Sequence, residues 1–171
     1  MLSKHRKHDR TGVGYTLIEV LIVVAIIAVA GAVVVPTMVD VGSMGVQAAA
    51  RMVIADMLHA QNDAIAKQKP RKVKFDVFND VYSLIDEAGK TMTVAWKGSE
   101  DGNYVVNFKD DVRFRGVDIK RVDFGGEVEV IFDELGTPSD GGFVELAYNG
   151  ELYQIRVAAF TGKVTVEKIE S

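Results

Sequence analysis

The sequence has no cysteine at all. Disulfide frameworks, zinc–thiolate sites and thiol nucleophiles are therefore excluded. The compartment stays open, because an oxidising one permits disulfides without requiring them. A strongly basic balance is also missing: the formal charge is -4, which gives no support to a nucleic-acid-binding domain. No Gly-x-Ser-x-Gly elbow, phosphate-cradling P-loop or EF-hand spacing occurs. His59 is the only histidine beyond the first ten residues, so a Ser-His-Asp device would have to use it; a structural or solvated role is the ordinary one. The acidic pairs Asp110-Asp111 and Asp133-Glu134 have the composition of solvated loop charges.

Apolar residues make up 48% of the 171-residue chain, enough for one packed domain and an extra element. Their distribution is uneven. Residues 1–14, MLSKHRKHDRTGVG, carry Lys4, Arg6, Lys7 and Arg10 against Asp9 alone. From Leu17 to Val35 every residue is apolar or Gly except Glu19. Three readings fit a basic leader followed by such a run. A cleaved secretory signal would be cut after the run, near Gly31 or Ala32, although signal peptides have shorter apolar stretches of about 7–15 residues. A membrane anchor fits the length, since about 20 residues at 1.5 Å each cross the hydrocarbon layer. Basic residues ahead of the run would then keep the N-terminus cytoplasmic.

The third reading turns on Glu19. An ionisable residue inside a membrane span is costly and calls for a partner, unless it lies at the cytoplasmic interface and reaches water. The string Gly14-Tyr15-Thr16-Leu17-Ile18-Glu19-Val20-Leu21 resembles the processing site of type IV prepilins and type II secretion pseudopilins. Tyr15 stands where Phe is commoner and keeps the aromatic character. The resemblance implies cleavage between Gly14 and Tyr15 by a prepilin peptidase, N-methylation of Tyr15, and retention of the apolar helix. It also implies an assembly role for Glu19, paired with the new α-amine of a neighbouring subunit. Pro36 closes the run and is the expected helix kink.

Beyond it, Val46, Ala50, Val53, Met57, Ala60 and Ala64 recur at helical steps, while Arg51, Asp56, His59, Asn62, Asp63 and Lys67 fall largely elsewhere. Lys67-Gln68-Lys69-Pro70 ends that helix. The period then switches to two. Strands are expected at 73–77, 81–86, 91–96, 104–108, 112–115, 117–124, 127–133, 143–148, 151–158 and 163–169. Asn149-Gly150 is the strongest hairpin signal, and Gly125-Gly126, Gly141-Gly142 and Thr161-Gly162 mark further turns. The expected fold is α+β: a long N-terminal helix followed by an antiparallel, β-sandwich-like head.

Late in the chain, Phe132-Asp133-Glu134-Leu135-Gly136 and Gly162-Lys163-Val164 resemble motifs of the H-type minor pseudopilins and their type IV pilus relatives. The resemblance divides the chain into a leader at 1–14, a transmembrane or filament-core helix at 15–36, an amphipathic helix at 37–69 and a periplasmic head at 70–171. It implies a single-pass inner-membrane protein that joins other pseudopilin or pilin subunits through an inner-membrane assembly platform. The implied function is that of a minor pseudopilin of type II secretion, helping to export folded proteins. No cofactor, metal or catalytic residue is implied. A minor pilin for adhesion or DNA uptake is the alternative, and a signal-anchored periplasmic enzyme a more distant one. DNA binding is disfavoured, because Gly162-Lys163-Val164-Thr165 lacks the second basic residue of DNA-binding relatives and Glu167 follows.

Overall fold

The apolar run after Thr16 forms helix α1, Leu17–Thr37, and the small-residue stripe beyond it forms helix α2, Val41–Lys67. A computed structural model describes residues 15–37, 41–93 and 102–169, with the side chains of 31–37 and 41–43 excepted. The leader at 1–14 and positions 94–96 of the expected strand at 91–96 lie outside the described residues. The chain divides into two units, Met1–Asp40 and Val41–Ser171. In the first, α1 is apolar all round. In the second, α2 is amphipathic: Val46, Ala49, Ala50, Val53, Met57, Ala60 and Ala64 are all 2% exposed or less. This helix ends where Gln68 turns left-handed (φ 52°) and the Lys69 N–H donates back to the Ala64 carbonyl. Pro70 then forbids another turn.

Eight strands follow: β1 Arg71–Asp76, β2 Val81–Ile85, β3 Val105–Asn107, β4 Asp118–Phe124, β5 Glu129–Phe132, β6 Gly142–Tyr148, β7 Glu151–Val157 and β8 Val164–Ile169. They form two antiparallel sheets, ordered β3-β2-β1-β5 and β4-β6-β7-β8. Alternation sets the faces, so Val73 pairs with Leu84 and Val130 on the buried side of the first sheet. In the second, Val144 pairs with Val122 and Ile155. The Asn149-Gly150 hairpin has φ of 47° and 86° at its two central residues. Those values match the turn whose twist suits a two-residue connection. Gly125-Gly126 makes a similar turn, with φ of 66° and 94°, and carries the chain from one sheet to the other.

One expected strand is absent. Val112–Phe114 is a short 3-10 turn instead, capped by the Asp111 carboxylate, which accepts from the Arg113 N–H. Phe114 alone of the three is buried, edge-on to Phe108 at 5.5 Å between ring centroids. The residues alternate in type, yet only one has a core to face. In the described part of the expected strand at 91–96, Thr91 and Thr93 make single bridges, to Ile85 and Asn103.

Both sheets and α2 share one core. Phe75 of the first sheet stacks on Phe124 of the second at 6.3 Å. Full burial of side chains such as Phe, Val and Met contributes about 1.5–3 kcal/mol each. One member of the interface is polar. Asp56 is 5% exposed and accepts hydrogen bonds from the hydroxyls of Tyr82, at 2.5 Å, and Tyr104. Burial, reinforced by that carboxylate, pushes both phenols well above their ordinary pKa, so both remain donors. The triad ties the middle of α2 to the first sheet. Asp56→Ala leaves two buried hydroxyls without their acceptor and should destabilise the protein by about 3 kcal/mol. Adding Tyr82→Phe and Tyr104→Phe should recover part of that loss, read as the urea midpoint of the full-length protein in detergent.

Candidate functional site

Two places concentrate the residues singled out by the sequence. The first is the start of α1. Thr16 caps this helix: its Oγ1 accepts from the Glu19 N–H at 3.3 Å. Its carbonyl accepts from the N–H groups of Glu19 and Val20 at 3.1 and 3.2 Å. Glu19 thus lies in the first turn, where the helix dipole favours a negative charge. Thr16-Leu17-Ile18-Glu19 has the spacing of a capping box, a helix-starting role that the sequence reading did not assign. Tyr15, beside the expected cut, is 79% exposed; Gly14 lies outside the described residues. Pro36 falls in the last turn of α1, one residue before its end.

The described apolar side chains of α1 are exposed. Leu17, Ile18, Val20, Leu21, Ile22, Val23, Val24, Ile26, Ile27 and Val29 are each at least half exposed. A helix that is apolar on every side belongs in a large core or a membrane. Among the described residues no helix is both long and apolar enough to cross a membrane.

The second place is the C-terminal half of α2. The Gln61 Nε2 donates to the Gly136 carbonyl at 2.8 Å and to the Thr161 carbonyl at 3.4 Å. The first late motif, through Gly136, and the residue just before the second, Thr161, therefore meet on one amide. In the first of them Asp133 closes its own loop, accepting from the N–H groups of Leu135 and Thr137 at 2.9 and 2.7 Å. Gly136 and Gly162 both take left-handed φ, 81° and 64°. A Cβ at Gly162 would stand 2.3 Å from the Gln61 Nε2, and one at Gly136 would stand 2.7 Å from Ile65. This explains the two glycines. Gln61 itself was missed in the sequence, where it is one polar residue beside an apolar stripe.

Next to this seam, where α2 gives way to β1, Arg71 is 4% exposed. Its guanidinium donates to Asp63 and Glu87, both at 2.6 Å. Lys67 pairs with Asp63 at 3.1 Å and Lys69 with Glu87 at 2.5 Å. Lys67, Lys69, Arg71 and Glu87 line a cleft of about 620 Å³, and Asp63 and Glu87 pair with those three cations. Lys69 foremost, with Arg71 adding to it, lowers the Glu87 pKa to about 2. Burial pushes Asp63 up, but bonds from Arg71 and Lys67 outweigh it and the net shift is downward.

The other singled-out residues have local duties. Asp110 accepts from the Asn107 amide at 2.6 Å and Asp111 pairs with Arg113 at 2.6 Å. The His59 ring stacks on Tyr104 at 5.9 Å. Among the described residues no group of three or more His, Asp or Glu could hold a metal ion.

No family model and no curated protein matches the sequence. Solved structures do match. A structure of the minor pseudopilin EpsH from the type 2 secretion system of Vibrio cholerae superposes with a TM-score of 0.52 at 12% identity. The match covers 72% of this chain and 96% of that one. A crystal structure of the same pseudopilin gives 0.52 at 12% identity, over 74% and 96%. This is a pilin-type fold. The type IV minor pilin FimU of Pseudomonas aeruginosa is similar as well, with a TM-score of 0.50 at 12% identity over 71% of this chain and 87% of that one. The head thus has the fold seen in these minor pseudopilin and minor pilin structures.

Two outcomes follow for this head. Gly162→Ala should cost about 2 kcal/mol, from left-handed strain and the displaced Gln61 bond. Gln61→Ala should cost about 1 kcal/mol, and the two changes together should cost less than their sum. A double-mutant cycle measured by chemical denaturation checks this coupling. The Glu87 pKa is depressed on folding, so its contribution is present above its ordinary value near 4.5 and is lost as pH falls towards about 2. Unfolding midpoints should therefore drop across that window, and less steeply in Glu87→Gln.

Proposed function

We propose that this chain is a minor pseudopilin of a type II secretion system, processed between Gly14 and Tyr15 and anchored in the inner membrane by α1. The observation that carries the reading is the ring of exposed apolar side chains on α1. Water cannot accommodate such a surface, whereas a bilayer or the core of a helical filament can. The apolar run from Leu17 to Val35 would rise about 28 Å, near the thickness of the hydrocarbon layer. The basic residues of the leader would hold the N-terminus in the cytoplasm and leave the head in the periplasm. The likeness of the head to EpsH supports a pseudopilin, although at 12% identity it does not separate that reading from a pilus subunit.

On this reading the chemistry is assembly. Cleavage frees an α-amine at Tyr15, whose N-methylation follows. The Glu19 carboxylate of one subunit then neutralises the amine of the next, which sets the axial register. A charge in low dielectric is costly alone and favourable when paired. The prepilin peptidase and the assembly platform are the other partners, and no step is catalysed by this chain. The similarity to FimU supports a second reading, a minor pilin of a type IV pilus. Deleting the gene separates the two: loss of folded exoproteins from the medium with pili intact supports the first, and the converse supports the second.

Mass spectrometry of the mature protein should find a methylated Tyr15 at the N-terminus; a start near Ala32 would remove the anchor and the proposal. Glu19→Ala should be processed normally but enter filaments poorly, as seen in sheared fractions. Normal incorporation would dismiss the pairing. A bulky residue at Gly14 should leave the full-length precursor in the membrane.

A further inference from the structure

The end of the head at which α2 begins carries an unusual set of exposed side chains. Its position follows from the pairings. Arg71, at the start of β1, is bonded to Asp63, whereas Tyr82, the cross-strand partner of Phe75, is bonded to Asp56. Strand β1 therefore runs back along α2 towards its N-terminus, and the turn at 77–80 lies beyond the level of Asp56. The 3-10 turn at 112–114 is at the same end, since the Arg113 carbonyl approaches Gly45. The chain enters the head at Val41, so this end is the one covalently tied to α1.

Three large apolar residues are displayed here: Phe78 at 88% exposed, Val112 at 73% and Met44 at 70%. Phe78 is held out by a stiff support. The Asp76 carboxylate accepts from the N–H groups of Phe78 and Asn79 at 3.1 and 3.0 Å. Lys109 donates to the Phe78 carbonyl at 3.2 Å and pairs with Asp80 at 3.0 Å. Asp80, itself buried, accepts from the Ile119 N–H at 2.8 Å, which anchors the turn to the second sheet. An aromatic ring fixed in this way loses little freedom on docking. Lys109, already paired with Asp80, stands exposed beside it, and Arg115 is exposed directly after the 3-10 turn; Asp111 is paired with Arg113 and Asp110 accepts from Asn107.

We propose that this end of the head is a lipid-docking face. It rests on the membrane anchoring proposed above. Before assembly, Phe78, Val112 and Met44 enter the headgroup region of the bilayer that holds α1, with the exposed Arg115, three residues after Val112, as the cation for the lipid phosphates. Aromatic rings with flanking cations are suited to that boundary. Docking would hold the waiting subunit against the membrane, and extraction into a filament would have to break this contact. Leu135 and Phe160 are as exposed as Phe78, but they sit at the Gln61 level. That is about 24 Å along α2 from Gly45, so they provide an internal control.

The absence of cysteine allows single nitroxide labels in the full-length chain. Ala28→Cys, Phe78→Cys and Phe160→Cys would be labelled and reconstituted in vesicles of phosphatidylethanolamine and phosphatidylglycerol. Collisions with oxygen and with a water-soluble nickel chelate would then be compared. Labels at Ala28 and Phe78 should favour oxygen, and that at Phe160 the nickel chelate. A label at Val112→Cys should also favour oxygen and lose that preference when Phe78→Ser is added. If Ala28 reads as lipid while Phe78 reads as water, the docking face is overturned and the anchor stands. If Phe78 is shielded from both reagents, a protein contact replaces the lipid and the proposal fails. If Ala28 reads as water, the anchor and the docking face fall together.

Discussion

The head is organised by the stripe of small and apolar side chains on α2. Alanines at 49, 50, 60 and 64, all nearly or fully buried, give a narrow helix face with no long side chains to hold neighbours away. Strands β1 and β5 of one sheet and β6, β7 and β8 of the other all reach this helix. Neither sheet needs a helix of its own. The inner faces of both sheets therefore face a common surface, and the whole head shares one core. Bulky residues on the stripe would push the sheets off the helix, since close-packed interiors yield little.

Apolar contact is non-directional, and polar bonds supply the register it lacks. They occur at three levels along α2. Near its start, the Asp80 carboxylate links the β1–β2 turn to Ile119 of β4. At mid-helix, Asp56 receives Tyr82 and Tyr104. In the last turns, Gln61 receives the two late loops, and Asp63 receives Arg71. A buried polar group is costly in every arrangement that leaves it unpaired, so the Asp80 bond penalises sliding of one sheet past the other and the remaining bonds penalise sliding of a sheet along the helix.

Much of this was legible in the sequence. The helix stripe, the switch of period after Pro70 and most of the strands follow from repeat spacing alone, and Asn149-Gly150 gives its hairpin through backbone preference. Other features were not. Val112–Phe114 has strand-like composition, but a strand needs a partner, and local spacing says nothing of one. The split into two sheets depends on Gly125-Gly126 sending the chain across, whereas an ordinary hairpin has the same signature. Asp56 was read as a surface acid although it lies three residues after Val53 and four before Ala60, on the stripe itself. Its spacing was visible; its tyrosines, 26 and 48 residues away, were not. Gln61 had no signal at all, since a donor amide is informative only once the carbonyls it meets are known.

The two units pose opposite physical problems. The head buries its apolar surface internally, and its core closes without help from outside. The described side chains of α1 are exposed around its circumference. On the proposed reading, lipid would satisfy α1 first and other helices later, because a hydrocarbon layer and a bundle of apolar helices are similar solvents for Leu, Ile and Val. What distinguishes the two is charge. Lipid would offer no cation to Glu19 at depth, whereas on that reading a neighbouring subunit with a freed N-terminus would. On the filament reading, the apolar surface makes the transfer nearly neutral and the single carboxylate gives it a direction.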